Sequence, residues 1–322
     1  MSKPHRLLEY GLTLFVLFNL NFILPRALPG DPLLTLVNTD QSFSVLTAEQ
    51  LDYFTSYYGL DEPLSRQYLK YWQGLLTGEL GKSIYFKEDV ASLVLRRLGW
   101  TVLLVGSGIL LSSLVGVILG SWAAWCQGSW FDRALYFFLV CLAETPVFLI
   151  GTLLLFTLGA RLHWFPLGGA MTHFASYGSR PGQLLDILHH AALPVVTLAL
   201  SRLGSSFLLS RNTMVATLNE EFMHTAYLKG LPGKTRLFKH GLKNCLVPVI
   251  TRTLTSLGTM IGGAVLVENL FAYPGIGGLL QQAVLACDYP LMQGILLVTS
   301  ISVVTMNLLG DLLCYRLDPR AR

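Results

Sequence analysis

A water-soluble chain of 322 residues would divide into about two domains at the usual ~150 residues each. The composition excludes that class: 52% of the residues are hydrophobic and 13% charged, against roughly 25% charged in soluble domains, and the mean hydropathy is +0.54. A net charge of +4 is too small for a nucleic-acid binder, and five scattered cysteines without a C-x-x-C pair indicate neither a disulfide framework nor a zinc site.

At the N-terminus, Lys3 and Arg6 precede an apolar stretch as in a signal peptide, but Pro25, Arg26 and Pro29 follow it where a small-residue cleavage site would stand. The stretch is expected to remain as a membrane anchor. Six stretches reach the ~20 apolar residues that a helix needs to cross a ~30 Å hydrocarbon core. They run from Leu7 to Leu28, Trp100 to Trp125, Ala134 to Ala160, Ile187 to Leu209, Leu246 to Val267 and Leu291 to Cys314. The second is the clearest, uncharged throughout and bounded by interfacial tryptophans.

Six spans would place both termini on one side of a lipid bilayer. Lys3, Arg6, Arg133, Arg211, the basic residues between Lys229 and Lys243, Arg316, Arg320 and Arg322 would share that side, while the short loops opposite carry only Arg161 and Arg180. The excess of Lys and Arg in cytoplasmic loops makes both termini cytoplasmic.

Residues 29–98 form a polar insert, too long for a turn and too poor in apolar residues to be robust alone, so it is expected to lean on the outer membrane face. Within it Leu64, Tyr68, Trp72, Leu75 and Leu76 recur at helical spacing and Gly78 follows as a C-cap, which predicts a short amphipathic helix. No internal repeat supports an inverted-repeat secondary transporter.

The largest inner segment is the loop 211–244. Glu220 and Glu221 mark a helix start, where acids are favoured; Phe222, Ala226 and Lys229 or Gly230 recur at helical spacing, and Gly230 and Pro232 mark the end. Such a helix presents Ala and Gly on one face and suits another protein's groove. An ordinary loop helix resting on the headgroups fits the pattern equally.

Glu221, Ala226 and Gly230, followed by His240, Asn244 and Pro248, resemble the EAA-type loop of ATP-binding-cassette importer permeases, in particular the dipeptide/oligopeptide/nickel branch. Supporting matches run along nearly the whole chain. They include Gly30-Asp31-Pro32, Tyr58-Gly59-Leu60-Asp61-Glu62-Pro63-Leu64 with Gln67-Tyr68, and Gly78-Glu79-Leu80-Gly81-Lys82-Ser83. Further on stand Gly262-Gly263, Val267-Glu268, Phe271-Ala272-Tyr273-Pro274-Gly275-Ile276-Gly277, Asp288-Tyr289-Pro290, Asn307, Asp311 and Asp318-Pro319-Arg320.

The resemblance implies an all-α polytopic membrane protein of the bacterial inner membrane with six transmembrane helices. Its type I ABC importer (MetI-like) permease core of five helices, 99–322, would follow an extra N-terminal helix, 1–28, and the outer insert, 29–98. It also implies that Glu221, Thr225, Ala226, Lys229 and Gly230 couple the chain to a cytoplasmic ATPase. The implied partners are a second homologous permease in a heterodimer, two ATPases carrying the ATP and Mg, and an extracytoplasmic substrate-binding protein. The cargo would be di- or oligopeptides or related small solutes, with nickel or a metal chelate as the alternative. A membrane scaffold or receptor subunit without a pore is the reading from another class.

No enzyme emerges from the motifs. Gly230-Leu231-Pro232-Gly233-Lys234-Thr235 imitates the end of a phosphate loop, but Leu228 occupies the position of its first glycine, and neither G-x-S-x-G nor H-E-x-x-H occurs. No catalytic residue and no cofactor bound by this chain are expected. Ionisable residues inside spans are costly and face a cavity or a partner. Glu144, Arg202 and Arg252 are such residues, and Glu144 and Arg202 depart from the family pattern. They either line a translocation pathway for a charged solute or pair with each other or with the partner permease. His163, His173, His189 and His190 lack the spacing of a ligand motif, and Pro146 and Pro194 read as kinks within spans.

Overall fold

The computed structural model describes residues 3–29, 55–59, 61–172 and 174–317. Leu60, His173 and the motifs Gly30-Asp31-Pro32 and Asp318-Pro319-Arg320 lie outside the described residues. The described chain is helical apart from loops and one antiparallel bridge between Lys82 and Asp89. It forms two compact units, residues 1–100 with 275–304 and residues 101–274 with 305–322.

In the first unit, helix α1 (Lys3–Ala27) leaves Leu12, Phe15, Val16 and Ile23 exposed. So many bare apolar side chains on one helix suit lipid, where they need no protein cover. Helix α2 (Leu64–Thr77) is the predicted amphipathic helix, and Gly78 caps it at φ +78°, a left-handed conformation that glycine adopts without Cβ strain. Its aromatic stripe packs on α1: Trp72 lies 5.8 Å from Phe15, and Tyr68 lies 5.2 Å from Phe22, centroid to centroid. Tyr68 donates to Asn19 Oδ1 at 2.6 Å and Tyr71 to the Phe18 carbonyl at 3.0 Å. The insert's helix therefore rests on the first span, while Leu64 and Leu76 of the same stripe stay exposed.

Helix α3 (Val90–Trp125) runs without interruption across the expected boundary between residues 98 and 99. Its first turns pack with Ile276, Leu279, Leu291 and Ile295 in the core of the first unit.

In the second unit the stretch Ala134 to Ala160, expected as one kinked span, is broken. Helix α4 (Trp130–Ala143) ends at Glu144, and helix α5 (Val147–Leu154), continued by a π-helical segment to Arg161, leaves at 100° to it. Pro146 stands directly before α5, where its fixed φ and missing N–H are compatible with a helix start. Pro194, by contrast, lies within the continuous helix α6 (Arg180–Leu218).

After α6 come helix α7 (Glu221–Leu228), a helical turn at Gly233–Thr235, a π-helical segment Arg236–Leu242, and helix α8 (Lys243–Leu270). Helices α9 (Ile276–Leu285) and α10 (Tyr289–Leu317) complete the described chain. Among the described residues four helices, α1, α3, α6 and α10, are long and apolar enough to cross a membrane, and the bent pair α4–α5 makes a fifth if it is one span. Helix α8, 28 residues long, contains the expected span Leu246 to Val267.

Helix α6 is the hub of the second unit, with α4, α5 and α8 packed on it. Small residues let α3 approach it closely: a Cβ added at Gly116 would lie 2.6 Å from Ser206 Cβ, and one at Gly120 only 2.8 Å from the Arg211 backbone nitrogen. Gly204 of α6 makes the same kind of notch against the Leu139 carbonyl of α4. Spacing glycines four apart to bring helix backbones together is a membrane-protein packing device.

Candidate functional site

Helix α7 begins at Glu221 and stops after Leu228, as its acids and glycine predict. Gly230 adopts φ +70° and nothing lies within 4 Å of where its Cβ would be, so the turn demands glycine for its backbone rather than for space. The chain then closes on itself, with Leu231 N bonded to the Ala226 carbonyl at 3.3 Å.

Only Met223 and Ala226 of α7 are buried, on the side packed against the segment Arg236–Leu242. Ala226 thus serves close packing inside the chain and not the outward face. The rest of the helix surface carries Phe222, Tyr227 and Leu228, exposed by 41%, 60% and 72% and spread round the axis rather than on one stripe, with the exposed Glu221, Thr225 and Lys229 between them. Thr225 donates its hydroxyl to the Glu221 carbonyl within the helix at 3.1 Å. The Arg236 guanidinium lies 4.9 Å over the Tyr227 ring and 5.7 Å over Trp125, tying the loop to the end of α3 by cation–π contacts.

A part-buried ion pair, its carboxylate inaccessible, fixes the helix that leads into this loop. Arg211 near the end of α6 donates from Nε and Nη2 to both oxygens of Asp132 in α4, each at 2.7 Å. Asp132 also accepts from Gly128 N at 3.0 Å, and Ser129 caps α4 by accepting from Asp132 N. The two-pronged geometry makes this the strongest form of charge-assisted bond. The sequence holds no local signal for it, since the partners are 79 residues apart.

A second polar site lies among α3, α6 and α8. A pocket of about 280 Å³ is lined by Arg202, Arg252 and six hydroxyl side chains, with Ile109, Leu209 and Val249 as its apolar wall. Thr253 Oγ1 donates to the Val249 carbonyl at 2.8 Å, so the Ser113 hydroxyl, 2.9 Å away, donates to Thr253 and links α3 to α8. Arg202 is half-buried and Arg252 exposed.

Glu144 is not brought to this pocket. It sits exposed at the break between α4 and α5, and among the described residues no ion pair joins it to Arg202. Arg252, which the sequence marked only as an intramembrane charge, is the residue that shares the pocket with Arg202.

In the first unit a cavity of about 370 Å³ lies between the insert and the start of α10, lined by Arg26, Tyr58, Glu62, Tyr71, Lys82 and Gln293 among others. Arg26 donates to Gln67 Oε1 at 2.8 Å and Lys70 to Glu62 at 2.7 Å. Burial pushes the Tyr71 phenol up to about 12, with the neighbouring Tyr68 adding to the shift, so it stays a neutral donor.

Beside this cavity, Asp288 ties the insert to α10. It accepts from Ser83 Oγ at 2.5 Å, Tyr85 N at 3.0 Å and Leu291 N at 3.1 Å. Among the described residues the histidines form no metal-ligating group: His189 Nε2 meets the Trp164 carbonyl and His190 Nδ1 the Asp186 carbonyl, each at 2.9 Å.

Residues 116–322 match the family described as binding-protein-dependent transport system inner membrane component. The oligopeptide transport system permease protein AppB of Bacillus subtilis is 33% identical over 94% of this chain and 92% of its own length. The di/tripeptide transport system permease protein DppB of Pseudomonas aeruginosa is 33% identical over 97% of this chain and 94% of its own length.

Proposed function

Because the chain belongs to the family of binding-protein-dependent transport system inner membrane components, we propose that it forms half of the translocation pathway of an ATP-driven importer of di- and oligopeptides. As a transport permease of the inner membrane it is not itself an enzyme. The names of its relatives, an oligopeptide and a di/tripeptide permease, favour peptides over nickel as cargo.

Helix α7 carries the reading. It is short, starts on two acids, ends on a left-handed glycine, and leaves Phe222, Tyr227 and Leu228 exposed around it. Phe222 and Leu228, with Tyr227 covered on one side by Arg236, offer apolar contacts that a docked partner would bury. The partner is a cytoplasmic ATPase. Its closure on ATP and Mg pushes α7, and the push passes through Met223 and Ala226 to the segment Arg236–Leu242 and along α8. A conformational change needs such differential contacts in its two states.

In this assembly the chain crosses the membrane six times, α1 standing outside a five-helix core, with both termini in the cytoplasm. Residues 29–98 face the binding protein. A second, different permease completes the pathway, and two ATPases dock below.

The decisive experiment reconstitutes the complex in vesicles with its binding protein and measures tripeptide uptake beside ATP hydrolysis. Gly230→Glu places a charged side chain on a left-handed backbone at the docking turn. Uptake and cargo-stimulated hydrolysis are expected to fall to background while the variant inserts and assembles normally. Undiminished uptake would refute the coupling role of α7.

A further inference from the structure

The pocket among α3, α6 and α8 contains a charge that the permease reading does not explain. Among the described residues its lining holds two guanidiniums, Arg202 and Arg252, and no carboxylate. On the helices that build it, α3 has no acid at all, and the nearest acids, Asp186 on α6 and Glu268 on α8, each stand 16 residues away. At 1.5 Å per residue that is about 24 Å along the helix.

The pocket also lies inside the expected spans, with Arg202 seven residues before Leu209 and Arg252 six after Leu246, about 9–11 Å from the inner ends of their helices' apolar stretches. Ser112 and Ser113 fall 12 residues from Trp100 and from Trp125, the two ends of the clearest span, which is about 18 Å from either end. Arg252 is exposed on the chain's surface there. A guanidinium at that depth does not face lipid; it faces water or an opposite charge.

The hydroxyls define what the pocket accepts. Ser112, Ser205 and Ser256 donate their hydrogens to carbonyls of their own helices, at 3.0, 2.9 and 2.8 Å. With their hydrogens committed, these hydroxyls have only lone pairs left to offer, which leaves anion binding to the guanidiniums. A planar fork of donors matches a carboxylate with two parallel bonds.

We infer that Arg202 and Arg252 form a transit site for the carboxylate of the passing solute, its C-terminal carboxylate in the case of a peptide. The inference rests on the importer reading. A 280 Å³ pocket takes the end of a peptide and not its whole length, so one site serves cargoes that differ in side chains but share a terminus. Two weakly spaced cations also suit transit, because an anion held between them is released when one moves.

The test compares uptake of trialanine and trialanine amide by reconstituted complexes, each rate normalised to that cargo's affinity for the binding protein. Arg202→Gln and Arg252→Gln are expected to cut trialanine uptake about tenfold, the scale of one lost charge-assisted hydrogen bond, and to change amide uptake by less than twofold. Equal losses for both cargoes would overturn the site and point to pairing with a carboxylate of the second permease. Absence of uptake by the unmutated complex would instead refute the importer reading itself.

A second measurement is independent of cargo delivery. In an Arg252→Cys variant whose exposed native Cys141 is replaced by serine, an anionic methanethiosulfonate reagent should react several-fold faster than a cationic one, and Arg202→Gln should erase the difference. A faster cationic reagent would refute the anion site.

Discussion

Asp132 and Asp288 are both almost inaccessible, 2% and 0% exposed, yet they are satisfied by opposite chemistry. Asp132, in the second unit, meets a full positive charge in two bonds of 2.7 Å from Arg211. Asp288, in the first, has only neutral donors in its three bonds, one hydroxyl and two backbone N–H groups. Among those donors, Leu291 N belongs to the first turn of α10, where a helix N-terminus favours negative charge. One carboxylate locks a short helix to a long one by charge; the other organises a polar insert and caps a helix. The difference shows in what each would leave behind if removed.

Asp132→Ala should have the largest effect, because it leaves the half-buried Arg211 without its counter-charge. Breaking one partner of a buried pair typically costs about 3–5 kcal/mol. Loss of folded protein on heating in detergent measures it, and the double variant Asp132→Leu, Arg211→Met should recover most of the loss. No recovery would mean that the pair holds the helices by geometry rather than by charge compensation.

Asp288→Ala leaves only neutral groups unpaired, and a loss of about 2–3 kcal/mol is expected. It should appear as proteolytic opening of the segment around Ser83 before the α4–α6 packing is affected. Simultaneous loss of both regions would erase the contrast. Gly230→Ala should be the mildest, about 1–2 kcal/mol from a side chain forced into the left-handed region. Because no atom crowds that position, the effect should fall on coupling between hydrolysis and uptake more than on melting.

The same contrast separates what could be read from the sequence from what could not. Helix α2 with its cap at Gly78, and α7 between Glu221 and Gly230, were legible because caps and periodicity are local. The inward turn of Ala226 was not: Phe222 with Ala226 and Met223 with Ala226 are both valid helical pairs, and only the segment Arg236–Leu242 decides between them. The Asp132–Arg211 pair and the joint pocket of Arg202 and Arg252 depend on how helices are rotated about their axes, which hydropathy does not encode. The break at Glu144 escaped for another reason. Residues 134–160 are continuously apolar apart from Glu144, Thr145 and a few others, so a proline that ends one helix looks the same as a proline that bends it.

The glycine notches carry a mechanical implication. Where Gly116, Gly120 and Gly204 bring neighbouring backbones into direct touch, no side chains remain between them to shift from one packing to another. Sliding would drive main-chain atoms into each other. The stretches of α3, α4 and α6 joined by these notches therefore resist sliding and behave as a block, with the break at Glu144–Pro146 and the turn at Gly230 lying outside it.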